Sequence, residues 1–177
     1  LRERPIAALT AYDYPTARLL DEGGADLILV GDSLGMVFAG LEDTTGVTME
    51  HILYRLTVVR RAVKRAVLVG DLPYHSFDTP ELALENARRL MAAGADAVKL
   101  EGGVIVKEQI QAIRDAGIPM VGHIGMLPQQ VKVEGGYRKK GKTPEDAERL
   151  LEDARVLEAA GACAMVLEGM DPRVAAE

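Results

Sequence analysis

The sequence predicts an α/β fold, a (β/α)8 TIM-type barrel, of which these 177 residues hold about the first six strands. Three observations predict it. Short apolar runs rich in β-branched residues alternate with stretches of helical length along the whole chain, the pattern of a parallel sheet covered by helices. The segments GGADLILV, AAGADAVKL, DAGIPMVGH and AAGACAMVL each pass from a helix tail through a glycine into an apolar strand, so one unit recurs. Polar residues close almost every strand at its C-terminal end, and a site drawn from many strand ends is the habit of a barrel. An open doubly wound sheet would satisfy the alternation alone. No G-x-G-x-x-G follows a strand, so the dinucleotide fingerprint of such sheets is absent.

The elements follow in order. A first strand over 6–11 (IAALTA) leads to a helix over 14–23, which Gly24 ends. The second strand, 27–32, reads LILVGD: too short for a buried helix and stopped by glycine and aspartate. A helix over 48–64 opens at Thr48-Met49-Glu50, and the third strand, 66–71, reads AVLVGD. Thr79-Pro80-Glu81 supplies an N-cap, a proline at the first helical position and an acid for the helix dipole, so a helix runs over 80–93 to Gly94. Strand 96–101 (DAVKLE), a helix over 104–116 ended by Gly117, and strand 119–123 (PMVGH) come next. Thr143-Pro144-Glu145-Asp146 repeats the helix-start signal for a helix over 144–160, and strand 163–168 (CAMVLE) follows Gly161. Residues 171–177 read as the opening of a sixth helix. Six strands are fewer than the eight strands and about 250 residues of a whole barrel. Residues 1–177 are therefore expected to form a single barrel domain that is incomplete at its C-terminal side, with open edges on its first and sixth strands.

Composition excludes several function classes. The chain is 48% hydrophobic and 27% charged, with a net charge of −6 and a pI near 5.2. It has no broad basic face for nucleic acid, and Arg138-Lys139-Lys140 with Lys142 reads as a solvated loop. No apolar run approaches the roughly 20 residues of a membrane span. Pro5 interrupts the short apolar part of LRERPIAALT, which does not read as a signal peptide. The lone cysteine, Cys163, rules out an internal disulfide and favours a reducing compartment, so a cytoplasmic location and a core position for Cys163 are expected.

The chemistry-bearing residues sit at strand ends. Asp32 and Asp71 close consecutive strands in the same V-G-D context. Adjacent parallel strands lie about 4.8 Å apart, so two carboxylates at one level can share a hard cation, and two oxygen ligands with open positions suit Mg²⁺. The plainer alternative is that each aspartate caps its loop. Lys99 and Glu101, spaced i, i+2, share one face of a strand whose other face is covered, where charges are costly unless paired or functional. His123 closes the fifth strand and Glu168 the sixth. His123 is equally readable as a ligand, a substrate donor or a structural histidine. Glu168, emerging from an apolar run, is expected to have a raised proton affinity suited to a general base. Residues 125–142 carry no clear helix, and a loop of that length after the fifth strand is placed to act as a lid.

At these residues the chain resembles the ketopantoate hydroxymethyltransferase (3-methyl-2-oxobutanoate hydroxymethyltransferase) family. The matching stretches are TAYDYPTA, LVGDSLGM, DLPY, AVKLEGG, GHIGMLPQ, GGYRKKGK and VLEGM. The resemblance implies a (β/α)8 enzyme of pantothenate biosynthesis. Such an enzyme transfers a one-carbon unit from 5,10-methylenetetrahydrofolate to 3-methyl-2-oxobutanoate with Mg²⁺ as cofactor. It implies Mg²⁺ at Asp32 and Asp71 with Glu101 also at the metal, and the 2-oxo acid against Asp32, Ser33, Asp71 and Lys99. It further implies His123 near the substrate, Glu168 as proton acceptor, and a homo-oligomer, a decamer. Two departures from the family's pattern stand out. Its glycine-rich seventh strand and its last strand are absent from this sequence, and Met126-Leu127 and Lys132-Val133-Glu134 break the expected uniformity of the loop.

Three rival readings stay open from sequence alone. One is another Mg²⁺-dependent enolate enzyme of the phosphoenolpyruvate mutase and isocitrate lyase type, which the context LVGDSLGM and AVKLEGG fits less well. Another makes Lys99 a Schiff-base lysine. The last, from a different class, is a non-catalytic fragment of the barrel that binds or scaffolds.

Overall fold

A computed structural model describes residues 5–177; the first four residues of the LRERPIAALT stretch lie outside it. Among the described residues, six strands form one parallel sheet in the order β1 to β6: Ala8–Thr10, Leu27–Val30, Val67–Asp71, Ala97–Glu101, Met120–Gly125 and Ala164–Glu168. The order is sequential, with each neighbour reached through a helix. That is the winding of a barrel wall rather than of a sheet that reverses direction.

Six α-helices occupy the connections: α1 Tyr14–Glu22, α2 Leu34–Val37, α3 Met49–Ala62, α4 Pro80–Ala92, α5 Lys107–Asp115 and α6 Pro144–Ala159. The caps read from sequence are present. Thr79, Thr143 and Thr48 accept hydrogen bonds from the backbone N–H groups of Leu82, Asp146 and His51. Gly24, Gly94, Gly117 and Gly161 all have positive φ where helices give way to strands, a conformation that costs glycine least. Four details differ from the expectation. The helix expected over 104–116 begins as a 3-10 turn, Val104–Val106, before α5. Four-residue α2 was not foreseen, because LGMV has no cap signal and is shorter than any reliable periodicity. Loop 125–142 contains a 3-10 turn, Pro128–Gln130. The opening of a sixth helix is a 3-10 turn, Val174–Ala176.

Strand alternation divides the apolar residues into two sets. Ile28, Val30, Leu68, Val98, Leu100, Met120 and Ile124 point to the helices and join Ile52, Leu56, Leu90, Ile110, Ile113 and Leu157 in the main core. Burying each such side chain is worth about 1.5–3 kcal/mol. The opposite parity, Leu27, Leu29, Val69, Ala97, Val121 and Val166, forms a second cluster without a helical residue, the inner face of the curled sheet. Two or four residues further along the same inner rows stand Asp71, Lys99, Glu101, His123 and Glu168. The inner face is therefore apolar below and charged above.

Cys163 is exposed, not a core residue, although its Sγ lies 3.1 Å from the Met120 carbonyl. It precedes β6, an outer strand whose residues are exposed or half-buried, while β4 and β5 are buried throughout. The ACAMVL run lacks the second covering layer that its composition suggested.

Candidate active site

Register sets the site residues on steps. Asp71 of β3 is level with Lys99 of β4, Glu101 of β4 with His123 of β5, and Gly125 of β5 with Glu168 of β6. Asp32 lies two residues past the end of β2, in the turn that opens α2, rather than on the strand. Its N–H donates to Asp71 Oδ2 at 3.2 Å, so the two V-G-D aspartates do meet. All seven residues singled out from sequence, Asp32, Ser33, Asp71, Lys99, Glu101, His123 and Glu168, line one cavity of about 470 Å³. Leu29, Met36, Met126, Pro128 and Val166 give it apolar walls.

The pairing is dense. Lys99 Nζ donates to both oxygens of Asp71, at 2.8 and 3.0 Å, and stands 3.8 Å from Glu101 Oε1. His123 lies between two carboxylates, with Nδ1 3.5 Å from Glu101 and Nε2 3.3 Å from Glu168. These are ion-pair distances that fall short of hydrogen-bond geometry, and Glu101 Oε1 is buried without a hydrogen-bond partner. Ser33 Oγ and the Tyr12 hydroxyl are 2.7 Å apart.

Electrostatics follow from this packing. Burial, then the neighbouring Asp71 charge, raises Asp32 to about 7. Burial also raises Asp71, against the pull of Lys99. For Lys99, burial acts downward, but Asp71, Glu101 and Asp32 outweigh it and hold the ammonium charged. Burial likewise acts to lower His123, while Glu101 and Glu168 raise it above the ordinary histidine value. Glu168 departs from expectation: its affinity for a proton is lowered, because His123 faces it and its side chain is 42% exposed. The apolar run from which it emerges does not enclose the carboxyl group itself.

Four carboxyl groups thus share one lysine and one histidine; Glu101 Oε1 and both His123 nitrogens make no hydrogen bond, and carboxyl oxygens outnumber the nitrogens among the donors. That set fits a hard divalent cation. Among the described residues no group of three or more His, Cys, Asp or Glu side chains is placed to hold a metal ion alone. Mg²⁺ is commonly held by only one or two carboxylates, with water and substrate completing the octahedron.

Loop 125–142 closes over the cavity, contributing Met126, Pro128 and Tyr137 to its lining. Two site residues went unread in the sequence. Gln129 is buried and donates from Nε2 to Asp32 Oδ2 at 2.9 Å; it closes the GHIGMLPQ stretch that Gln130 lies outside, but its own type and spacing carry no sign of a site role. Tyr137, whose hydroxyl reaches Met36 Sδ at 3.6 Å, lies in the segment expected as a lid, with no local feature that marks it as a site residue.

The family model described as ketopantoate hydroxymethyltransferase matches residues 1–177. The chain belongs to this family. A relative from Thermoanaerobacter sp. (strain X514), named 3-methyl-2-oxobutanoate hydroxymethyltransferase, is 53% identical over 174 residues, covering 97% of this chain and 64% of the relative. One of the same name from Pyrobaculum islandicum is 52% identical over 174 residues, covering 98% and 67%. The chain thus spans about two thirds of the length of these ketopantoate hydroxymethyltransferases. Among solved structures, phosphoenolpyruvate phosphomutase from Streptomyces platensis subsp. rosaceus superposes with a TM-score of 0.71 at 20% identity, over 94% of this chain and 60% of that one. A 2,3-dimethylmalate lyase, described as a PEP mutase/isocitrate lyase superfamily member, gives 0.64 at 17%, over 92% and 58%. At these identities they establish the α/β barrel fold and nothing of the reaction.

Proposed function

We propose that the protein transfers a hydroxymethyl group from 5,10-methylenetetrahydrofolate to 3-methyl-2-oxobutanoate, giving 2-dehydropantoate. One observation carries this reading. Two buried carboxyl groups, those of Asp32 and Asp71, tied by the Asp32 backbone N–H donating to Asp71 Oδ2, share a cavity with a third, Glu168, that is accessible and held ionised. Identities of 50–53% to relatives named for that reaction support the choice of substrate.

Asp32 and Asp71 would hold Mg²⁺, with Glu101 beside them. When bound, the cation supplies a Lewis acid that withdraws charge from the oxo acid's carbonyl and acidifies the neighbouring C–H. Lys99 holds the charge of Asp71 in place and offers its ammonium to the substrate carboxylate. Ser33, fixed by Tyr12, offers a hydroxyl to the same group. Glu168 takes the C3 proton, and His123 stabilises its anionic form beforehand. C3 then forms a C–C bond to the one-carbon unit, whose two C–N bonds to the folate break. Water supplies the hydroxyl oxygen, and tetrahydrofolate leaves with both nitrogens protonated, while the 125–142 loop keeps other water from the carbanion. Residues 1–177 are read as one barrel domain, and the protein as a cytoplasmic homo-oligomer taking small-molecule substrates.

The test is formation of 2-dehydropantoate from the two substrates, with Mg²⁺ and with a chelator. Turnover that the chelator abolishes is expected. Turnover indifferent to chelator, with borohydride trapping substrate on Lys99, would overturn the reading in favour of a Schiff base.

A further inference from the structure

We infer that Gln129 is a positioning residue: it aims the Asp32 carboxylate and locks the 125–142 loop onto three strand ends at once. Within residues 126–140 it alone is buried, at 2% exposure, although it carries a polar side chain on a loop. Its backbone N–H donates to Glu101 Oε2 at 3.2 Å. Its side-chain nitrogen, with two hydrogens, donates to Asp32 Oδ2 at 2.9 Å and to the Leu72 carbonyl at 3.0 Å. One residue following β5 therefore touches groups that follow β2, follow β3 and end β4.

The chemistry suits an amide. A neutral donor on Oδ2 orients the Asp32 carboxyl group without adding a compensating charge, and leaves Oδ1 presented in a set direction. A lysine here would neutralise it. The Leu72 carbonyl bond fixes the amide in turn, so the Asp32 orientation depends on the loop being shut. Loop closure and completion of the cation site are one event. This rests on reading Asp32 as a cation-binding group, and the experiment separates the two claims.

The probes are Mg²⁺ alone, followed by calorimetry, and trypsin, which reports on the loop through exposed Lys132, Arg138 and Lys139. Gln129→Ala removes the side chain, and Gln129→Met restores its bulk without donors. Losing a hydrogen bond to a charged group together with a neutral one corresponds to at least about a tenfold effect. Both variants are expected to be cut at those sites at least about tenfold faster and to bind Mg²⁺ about tenfold more weakly, with the melting temperature little changed. Wild-type cleavage and affinity in Gln129→Met would overturn the inference, making Gln129 a packing plug. Faster cleavage with unchanged Mg²⁺ affinity would overturn its role toward Asp32. A wild-type protein that binds no Mg²⁺ would sink the proposed function instead, while cleavage would still decide whether Gln129 locks the loop.

Discussion

His123 Nε2 stands 3.3 Å from Glu168 Oε2, and this contact is the main cause that lowers the proton affinity of the carboxylate at the mouth of the barrel. The imidazole is itself raised above its ordinary value, so it faces Glu168 as a cation over a wider pH range than a free histidine. Replacing it with an apolar ring, His123→Phe, removes the partner and leaves partial burial opposed only by the more distant charge of Lys99. The Glu168 titration should then move to higher pH. Carbon-13 NMR of the Glu168 carboxyl in both proteins measures this directly, and an unmoved titration would mean that His123 does not govern the carboxylate.

Asp32 and Asp71 should separate in stability while agreeing in metal binding. Asp71→Ala strips buried Lys99 of its two closest contacts and leaves Glu101, at 3.8 Å, and the charge of Asp32. Breaking a buried pair on one side costs about 3 kcal/mol. Asp32→Ala removes a carboxyl group that burial and Asp71 already disfavour as an anion, so the melting temperature should change little. Both variants should lose Mg²⁺ binding by calorimetry. Unchanged affinity in either would remove that residue from the proposed ligand set.

A stability prediction lies far from the site. Asp21, 3% exposed in α1, accepts hydrogen bonds from the backbone N–H groups of Lys64, Arg65 and Ala66, tying the helix to the start of β3. Burial acts to raise its pKa, but those three donors outweigh it and the net shift is downward. A folded-state pKa below the unfolded value of about 3.9 means stability that is present above about pH 4 and lost as pH falls through the folded value. Asp21→Asn should therefore cost about 1–3 kcal/mol at pH 7, with the gap to wild type closing below about pH 4. Denaturant unfolding at pH 7 and pH 3 checks it. A gap that is constant with pH would mean that the charge plays no part.

What could be read from sequence divides along physical lines. Thr79, Thr143 and the four helix-ending glycines act through their own backbone neighbours, so their elements were legible to within a few residues. Lys99 and Glu101 were legible because strand parity is local and helices cover the other face. The VGD endings raised the right question, though Asp32 meets Asp71 only because a turn carries it past β2. The charge state of Glu168 was misread: it depends on His123, 45 positions away in the chain, and on the openness of an outer strand. Gln129 was invisible because its importance lies wholly in long-range partners, with Asp32 97 positions away. Cys163 was misplaced for the same reason as Glu168, since an apolar run does not reveal how many layers cover it.

The central claim is that Asp32 and Asp71 prepare an oxo acid for loss of a proton to Glu168. Proton NMR of 3-methyl-2-oxobutanoate in D₂O follows the C3 signal without needing the folate, because proton removal precedes carbon transfer. Mg²⁺-dependent loss of that signal is expected, with a fall of about 10²–10⁴-fold in its rate for Glu168→Gln and substrate affinity little changed. Undiminished exchange in Glu168→Gln with Mg²⁺ bound would contradict it and make another group the base, His123 first among them.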